Sequence, residues 1–194
     1  NLNAIELRKI LAKNERIIKA RKDWKTINAG WNQDVKLTVD LNDNEKIIDL
    51  HWPNIRERVL RLFTHGELTK GHINYDADAG TIQVDHGNLS YCVELEGYEF
   101  VRCSLRGEFT NCDFFGCDVN GSDIHTCNFY QSTQVNSSKL ESSYVHQSCI
   151  LKDCYIYGNG IMKGTMQGGI FRDGRYDKRT AKFDNTEKIL YKEV

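Results

Sequence analysis

The sequence predicts a mainly β protein in which a short-period solenoid follows an N-terminal α+β capping region. Two patterns predict this organisation. From about residue 93, large apolar residues recur every five positions, which fits neither a helix nor an ordinary strand. Before that point, an amphipathic stripe and alternating apolar residues indicate a mixture of helices and strands. We therefore divide the chain into 1–92, 93–175 and 176–194, and we interpret the last segment as a cap or an association tail.

The composition excludes several classes of protein. Of the 194 residues, 40% are hydrophobic and 27% are charged, which is typical of a globular chain. No apolar stretch approaches the length of about 18 residues that a transmembrane helix needs. The net charge of −1 argues against a strongly basic nucleic-acid binder. Because residues 1–22 lack a signal-peptide pattern, we expect the seven cysteines to stay reduced in a cytoplasmic protein.

The charge is distributed unevenly along the chain. Residues 1–25 have a net charge of +5, whereas residues 26–97 have a net charge of −6. Residues 4–22 are predicted to form an amphipathic helix with a stripe of Leu and Ile side chains. Its positive residues are candidates for binding an anionic partner, either an acidic protein face or nucleic acid: Lys9, Lys13, Arg16, Lys19, Arg21 and Lys22. The alternative is a solvated helix face that docks on the acidic block.

Three further elements are predicted before the solenoid. Residues 35–51 are predicted to form a strand pair around a turn at 42–44. A helix over 53–65 begins at Pro53, which the first helical turn tolerates, and ends at Gly66. The alternating segments 72–75 and 81–84 predict a hairpin. We expect this region to cover the first turn of the solenoid, whose strand edge would otherwise be unpaired.

The clearest repeat lies in residues 112–131. It contains four consecutive pentads of the form small, Asp or Asn, large apolar, polar, polar or Gly. Because a short fixed period buries its apolar face only when successive units stack, the repeat predicts a solenoid. The large and small residues of this repeat, together with those that continue its phase, are the predicted core: Phe100, Leu105, Cys112, Phe114, Cys117, Val119, Ser122, Ile124, Cys127, Phe129, Leu140, Val145 and Ile150.

The repeat resembles the pentapeptide-repeat family over about residues 93–173, most strongly over 112–131. The resemblance implies a right-handed quadrilateral β-helix in which four pentads make one square turn. It also implies that the large and the small residue of each pentad point inward. The repeat region would then form about four turns, about 20 Å tall at the spacing of stacked strands. Residues stacked on one another would be about twenty positions apart.

This arrangement also predicts the roles of the cysteines. Cys112 and Cys117 have the spacing of zinc ligands, but they would lie on adjacent walls of the coil. Ser122 takes the same position in the next pentad, which favours a packing role for all three residues. Cys149 and Cys154 lie near a slip in the phase, and we expect them to be the exposed, reactive thiols.

The square coil also predicts where the acidic and histidine side chains of the repeat point. Asp113, Asp118 and Asp123 are predicted to point from different walls and to bond the backbone of the corners. His125 and His146 are predicted to approach each other from successive turns, which is a weak indication of a metal site.

Apart from this histidine pair, no motif indicates catalysis, a metal site or a cofactor, and no pair of carboxylates is predicted on one face. We therefore expect a non-enzymatic protein-interaction or structural module that uses the solenoid as a platform for a protein partner or for self-association. Such a module suits a phage or bacterial accessory protein.

Two alternatives remain. Some pentapeptide-repeat proteins mimic DNA and bind type II topoisomerases such as gyrase. Residues 98–175 carry seven Lys/Arg and eight Asp/Glu, a much weaker negative charge than that of duplex DNA. A polymer-acting β-helix enzyme is the second alternative, and the lack of clustered carboxylates in the sequence argues against it.

Overall fold

The structure, a computed structural model, describes residues 37–40, 58–59, 61–62, 65–68, 71–76 and 79–194. The predicted basic helix, its six candidate partner-binding residues and residues 47–50 of the predicted strand pair lie outside the described residues. Residues 58–59 and 61–62 are helical, and a turn at 65–66 follows them. This turn agrees with the predicted helix end at Gly66.

Nearly all of the remaining described structure is β. Its strands, in chain order, are β1 (Leu37–Asp40), β2 (His72–Asp76), β3 (Thr81–Asp85), β4 (Asn88–Glu96), β5 (Tyr98–Val101), β6 (Ser104–Thr110), β7 (Asp113–Phe115), β8 (Asp118–Asn120), β9 (Asp123–His125), β10 (Asn128–Tyr130), β11 (Gln134–Asn136), β12 (Lys139–Glu141), β13 (Tyr144–Val145), β14 (Ile150–Lys152), β15 (Tyr155–Tyr157), β16 (Ile161–Met162), β17 (Thr165–Gln167), β18 (Ile170–Arg172), β19 (Arg175–Tyr176), β20 (Lys182–Asp184), β21 (Glu187–Ile189) and β22 (Lys192–Glu193).

Three strands make one turn of a parallel solenoid, and each strand belongs to one wall. Wall 1 contains β5, β7, β10, β13, β16, β19 and β22. Wall 2 contains the first parts of β4 and β6, followed by β8, β11, β14, β17 and β20. Wall 3 contains the last parts of β4 and β6, followed by β9, β12, β15, β18 and β21. The solenoid has about 7 turns, which corresponds to a column about 34 Å tall.

The number of walls differs from the square coil that the resemblance implies. Stacked residues are 14 positions apart between Phe100 and Phe114, and 17 apart between Val145 and Met162. Each turn therefore holds about three pentads, its length varies between 14 and 17 residues, and the turns are more numerous than expected. The reason is that a pentad specifies the length of one wall and which side chains face inward, whereas the angle at each corner decides how many walls close a turn.

The interior is filled by the residues that the repeat predicts. All of the predicted core residues except Ile150 are buried. The ring of Phe114 stacks between those of Phe100 and Phe129, with centroid distances of 5.6 and 4.8 Å. These rings form a continuous apolar column inside wall 1.

Ile150 is half-buried, and its neighbour Leu151 takes the inward position. Leu151 pairs with the buried Val135 in the ladder between β11 and β14. The slip in the phase therefore lies between Val145 and Leu151, earlier than the sequence indicated. One extra residue at the corner before β14 moves the inward position by one.

The small inward residues also form hydrogen bonds across the corners. The Cys103 N–H donates to Cys117 Sγ at 3.5 Å, and the Ser122 N–H donates to Ser138 Oγ at 3.0 Å. The Cys117 thiol in turn donates to the Phe100 carbonyl at 3.2 Å. A buried amide without an acceptor is costly, so this position favours a small residue that can hydrogen-bond. We call the residues that accept such a bond the bridging residues: Cys103, Cys117, Ser122, Cys127, Thr133, Ser138 and Ser143.

The segment before the solenoid extends wall 1. The predicted hairpin is present, since β2 and β3 pair antiparallel, and β3 continues as a parallel neighbour of β5. Strand β1 pairs antiparallel with β2. Buried Val59 and Leu62 of the helical residues join the solenoid core, and Arg58 donates to the Gly97 carbonyl at 2.6 Å. These described parts therefore cover the first turn.

Residues 176–194 form the last turn of the solenoid. The Lys188 ammonium lies 5.0 to 5.2 Å from the ring centres of Tyr176, Phe183 and Tyr191. Lys188 stands at the position that Phe171 occupies one turn earlier. A charged residue at an inward position ends the apolar column and discourages another strand from adding to it.

Candidate interaction surfaces

The two histidines that were predicted to approach each other, His125 and His146, lie on different walls. His125 is on wall 3, where its Nδ1 lies 2.7 Å from Glu141 Oε2. His146 follows β13 on wall 1, and its Nδ1 lies 2.9 Å from Ser148 Oγ. The predicted approach of these histidines is therefore wrong, because it assumed a turn of about twenty residues. Among the residues that the structure describes, no group of three His, Cys, Asp or Glu side chains can hold a metal ion.

The two thiols predicted to be exposed are buried. Cys149 is 0% exposed and Cys154 is 1% exposed. Burial raises the pKa of the Cys149 thiol, and it raises the pKa of the Cys154 thiol from 9.0 to about 11. A raised pKa lowers the fraction of reactive thiolate at neutral pH. The prediction of reactive thiols at these positions is therefore wrong.

The three aspartates occupy separate walls, as predicted. Asp113 begins β7 on wall 1, Asp118 begins β8 on wall 2, and Asp123 begins β9 on wall 3. Asp113 was predicted to bond the backbone of a corner, but it bonds a side chain instead. Its Oδ1 accepts a hydrogen bond from Asn128 Nδ2 at 2.8 Å, across one turn.

Wall 1 presents aromatic side chains on its outer surface. We call Phe115, Tyr130, Tyr144 and His146 the aromatic face, and all four are half-buried. The rings of Phe115 and Tyr130 are nearly parallel, with centroids 5.1 Å apart, and the Tyr144 ring follows at 5.7 Å from Tyr130. The rings of Phe115 and Tyr130 therefore stack face to face, whereas the Tyr144 ring is tilted by 43° relative to that of Tyr130. The Lys163 ammonium lies 5.7 Å from the Tyr144 ring centre.

Wall 2 has a different outer surface. Its outward positions in β8 and β11 hold Asp118, Asn120, Gln134 and Asn136. The Asn136 amide donates to Asn120 Oδ1 at 2.9 Å, so these two polar groups bond each other across one turn. These side chains have the same strand context as the aromatic face and serve as a natural control for it.

A polar groove of about 410 Å³ runs along the corner between walls 3 and 1. The wall 1 side of the groove contains Asp113, Asn128, Tyr144 and Arg175. The corner side contains hydroxyl and amide side chains, among them Thr126. The groove therefore combines many hydrogen-bonding groups with a smaller apolar surface, to which Tyr144 and Ile161 contribute.

An acidic cleft of about 510 Å³ lies on wall 3 beside the helical residues. Its lining includes Glu94, Glu96, Glu108 and Asp123 as well as His125. This cluster was not predicted from the sequence. Glu108 and Asp123 are one turn apart in the β6–β9 ladder, and a repeat of fifteen rather than twenty would have identified them as neighbours.

Comparison with known protein families, curated proteins and solved structures finds no match for this chain. Within the described ranges, no helix has the length and apolar character needed to cross a membrane.

Proposed function

We propose that this protein is a non-enzymatic interaction module whose solenoid presents the aromatic face to a protein partner. The observation that carries the proposal is the contrast between the outer surfaces of walls 1 and 2. Aromatic side chains are enriched at the centres of protein interfaces, because they bury a large area at a low cost in conformational entropy. Polar side chains that bond each other, such as Asn120 and Asn136 of wall 2, offer less binding energy.

The architecture supports a role as a rigid platform. Each outward side chain is held by a strand with parallel neighbours in the turns before and after it, so the spacing of the rings is set by the ladder. Preorganised side chains lose less entropy on binding than side chains on mobile loops. The seven cysteines are all free thiols, which supports our proposal of a reducing, cytoplasmic location.

A capture experiment with matched variants tests this function. The double variant Phe115→Ser/Tyr130→Ser removes the centre of the aromatic face, and Asn120→Ser/Asn136→Ser makes equivalent outward changes on wall 2. We expect a stoichiometric protein partner to bind the full-length protein and the wall 2 variant, and to be lost from the wall 1 variant. A partner that binds both variants equally would contradict the role of the aromatic face.

Further measurements test the basic segment, self-association and the alternative functions. Deletion of residues 1–25 tests the proposed contribution of Lys9, Lys13, Arg16, Lys19, Arg21 and Lys22, and size-exclusion chromatography tests self-association. Recovery of gyrase subunits would favour DNA mimicry, which the nearly neutral charge of residues 98–175 does not support. A relationship to the pentapeptide-repeat family, and a phage or bacterial accessory role, also stay proposals, and the pentads of 112–131 support the first.

The acidic cleft is the observation that favours a second candidate, a polymer-acting β-helix enzyme. Clustered carboxylates can supply acid and base groups for glycoside cleavage. Incubation with a panel of polysaccharides distinguishes the two functions. Our proposal expects no new reducing ends, whereas turnover that Glu108→Gln abolishes would replace the proposal with the enzyme.

A further inference from the structure

We propose that the polar groove between walls 3 and 1 binds a short, neutral oligosaccharide. This site requires no catalysis, and Tyr144 is the one described lining residue that it shares with the aromatic face. The juxtaposition of Asp113, Asn128 and Arg175 on wall 1 with the corner residue Thr126 carries the proposal.

The dimensions of the groove fit an extended ligand. Its wall 1 side runs from Asp113 in β7 to Arg175 in β19, with Asn128, Tyr144 and Ile161 at the intervening turns. Four steps between turns span about 19 Å. The volume of about 410 Å³ lies in the range of small-molecule sites. A linear chain of a few sugar rings therefore fits the site better than a single compact metabolite.

The charge of the groove excludes other ligand classes. Asp113 and Arg175 are its only charged lining residues within the part of the chain that the structure describes, and they lie at opposite ends. One cation is too few to bind a polyphosphate strongly, and one carboxylate is too few to bind a divalent metal. A wholly apolar ligand would leave the polar lining residues unpaired, whereas Tyr144 and Ile161 can contact the apolar faces of a sugar ring.

The groups that remain suit hydroxyls. The bond from Asn128 to Asp113 uses Nδ2 and Oδ1, and within the described residues Asn128 Oδ1 and Asp113 Oδ2 accept no hydrogen bond. Arg175 uses one guanidinium nitrogen on the Asn159 carbonyl at 3.4 Å. The groove therefore offers planar acceptors and donors whose positions are already set, which is how proteins recognise the vicinal hydroxyls of a sugar.

The backbone of the corner cannot recognise a peptide. The amides of Asn111, Thr126 and Ser142 already donate to carbonyls of the next turn, at 3.1, 2.9 and 2.9 Å. An extended peptide needs such groups for strand addition, so it has no partner here. Recognition must come from side chains.

Thr126 lines the corner side of the groove. Its φ of 53° is matched by 49° at Asn111 and 50° at Ser142, the equivalent residues of neighbouring turns, so this backbone conformation belongs to the corner. The Thr126 side chain is exposed, and its hydroxyl adds a hydrogen-bonding group to the groove.

Calorimetric titration of the full-length protein tests the proposal with chitotetraose, cellotetraose and maltotetraose as probes. Variants Asn128→Leu and Arg175→Gln alter the groove. Asn136→Leu is the matched control, because it removes an outward Asn from wall 2. We expect at least one probe to bind, each groove variant to weaken it about tenfold or more, and the control to change it less than about twofold.

Two results would overturn the inference. One is the failure of all three tetrasaccharides to bind, and the other is equal binding by the groove variants and the control. Binding of a tetra-alanine peptide in place of the sugars would also contradict it. The melting temperatures of the variants show whether each remains folded. Phe115 and Tyr130 do not line the groove, so their variants test the protein contact separately.

Discussion

The middle and the last turns of the solenoid have different residues at the small inward position of each corner. In the middle turns, bridging residues such as Cys117 and Ser138 accept a hydrogen bond from the corner amide of the preceding turn. In the later turns, the equivalent positions two before the large inward residue are glycines: Gly160, Gly164, Gly169 and Gly174. A Cβ at Gly169 would lie 2.1 Å from the Cys154 carbonyl oxygen, so the backbones are in direct contact there.

This difference shows that the corner position requires close approach of successive turns and does not require one residue type. The inward residues that follow the glycine corners are mixed: Met162 and Met166 follow Gly160 and Gly164, whereas Phe171 and Tyr176 follow Gly169 and Gly174. A flexible Met side chain adapts to irregular space, which suits turns whose corners vary in length.

The largest expected effect comes from the aromatic column of the middle turns. Phe114→Ala should lower the free energy of unfolding by about 3–5 kcal/mol, because it opens a cavity between two stacked rings. Phe115→Ala is the control, since the adjacent side chain points outward. Chemical denaturation measures both variants. Equal losses would show that the inward assignment of wall 1 is wrong.

A methyl group at a glycine corner should have the next largest effect. Gly169→Ala places a Cβ against a carbonyl and forces alanine to a φ of 75°. We expect a loss of about 3 kcal/mol in the free energy of unfolding. Cys154→Ala, one turn earlier on the same wall, is the comparison and should lose less, because its Cβ is already accommodated. A smaller loss for Gly169→Ala than for Cys154→Ala would remove the distinction between the two kinds of corner.

Alkaline pH should destabilise the thiol-containing corners. The pKa of Cys154 is raised by burial from 9.0 to about 11, so this contribution to stability is complete below pH 9 and is lost as the pH rises through 11. We expect Cys154 to account for roughly 2 kcal/mol of the decline by pH 11. Cys154→Ser should show a shallower decline in denaturation curves between pH 8 and 11. Identical slopes would contradict the burial of this thiol.

The smallest effects should separate hydrogen bonding from packing at the bridging residues. Ser138→Ala leaves the buried Ser122 amide without its acceptor and should cost about 1–2 kcal/mol. Cys117→Ser keeps a small acceptor and should cost less than about 1 kcal/mol. Thermal unfolding of the pair measures the difference. If Cys117→Ser were less stable than Ser138→Ala, the sulfur atom itself would be required at the bridging position.

Much of the solenoid could be predicted from its pentads. The burial of Phe114, Val119 and Ile124 follows from the period of five, because each pentad turns one large residue inward. The period does not specify the corner angle, so the predicted number of four walls was wrong. The residue pairs predicted from a turn of about twenty residues were wrong for the same reason. His125 was therefore paired with His146 instead of Glu141, and the neighbours Glu108 and Asp123 were missed.

The outer surfaces were harder to predict for a related reason. Phe115 and Tyr130 lie fifteen residues apart, and they are recognised as a stacked pair only when the length of a turn is known. Leu151 faces inward because one extra residue lies at the corner before β14. The sequence pattern indicated that this extra residue comes several positions later. Local patterns predict which residues face inward, whereas long-range register decides which surfaces exist.

Disulfide mapping tests the three-walled coil most directly. Asn120→Cys/Asn136→Cys joins two rung neighbours of wall 2, whose stacked backbones lie within the range that a disulfide can bridge. Asn120→Cys/Glu141→Cys is the control, since it joins residues that a turn of about twenty would bring close. After mild oxidation and proteolysis, mass spectrometry should detect the 120–136 bridge and no 120–141 bridge. A bridge in the second variant alone would contradict the three-walled coil.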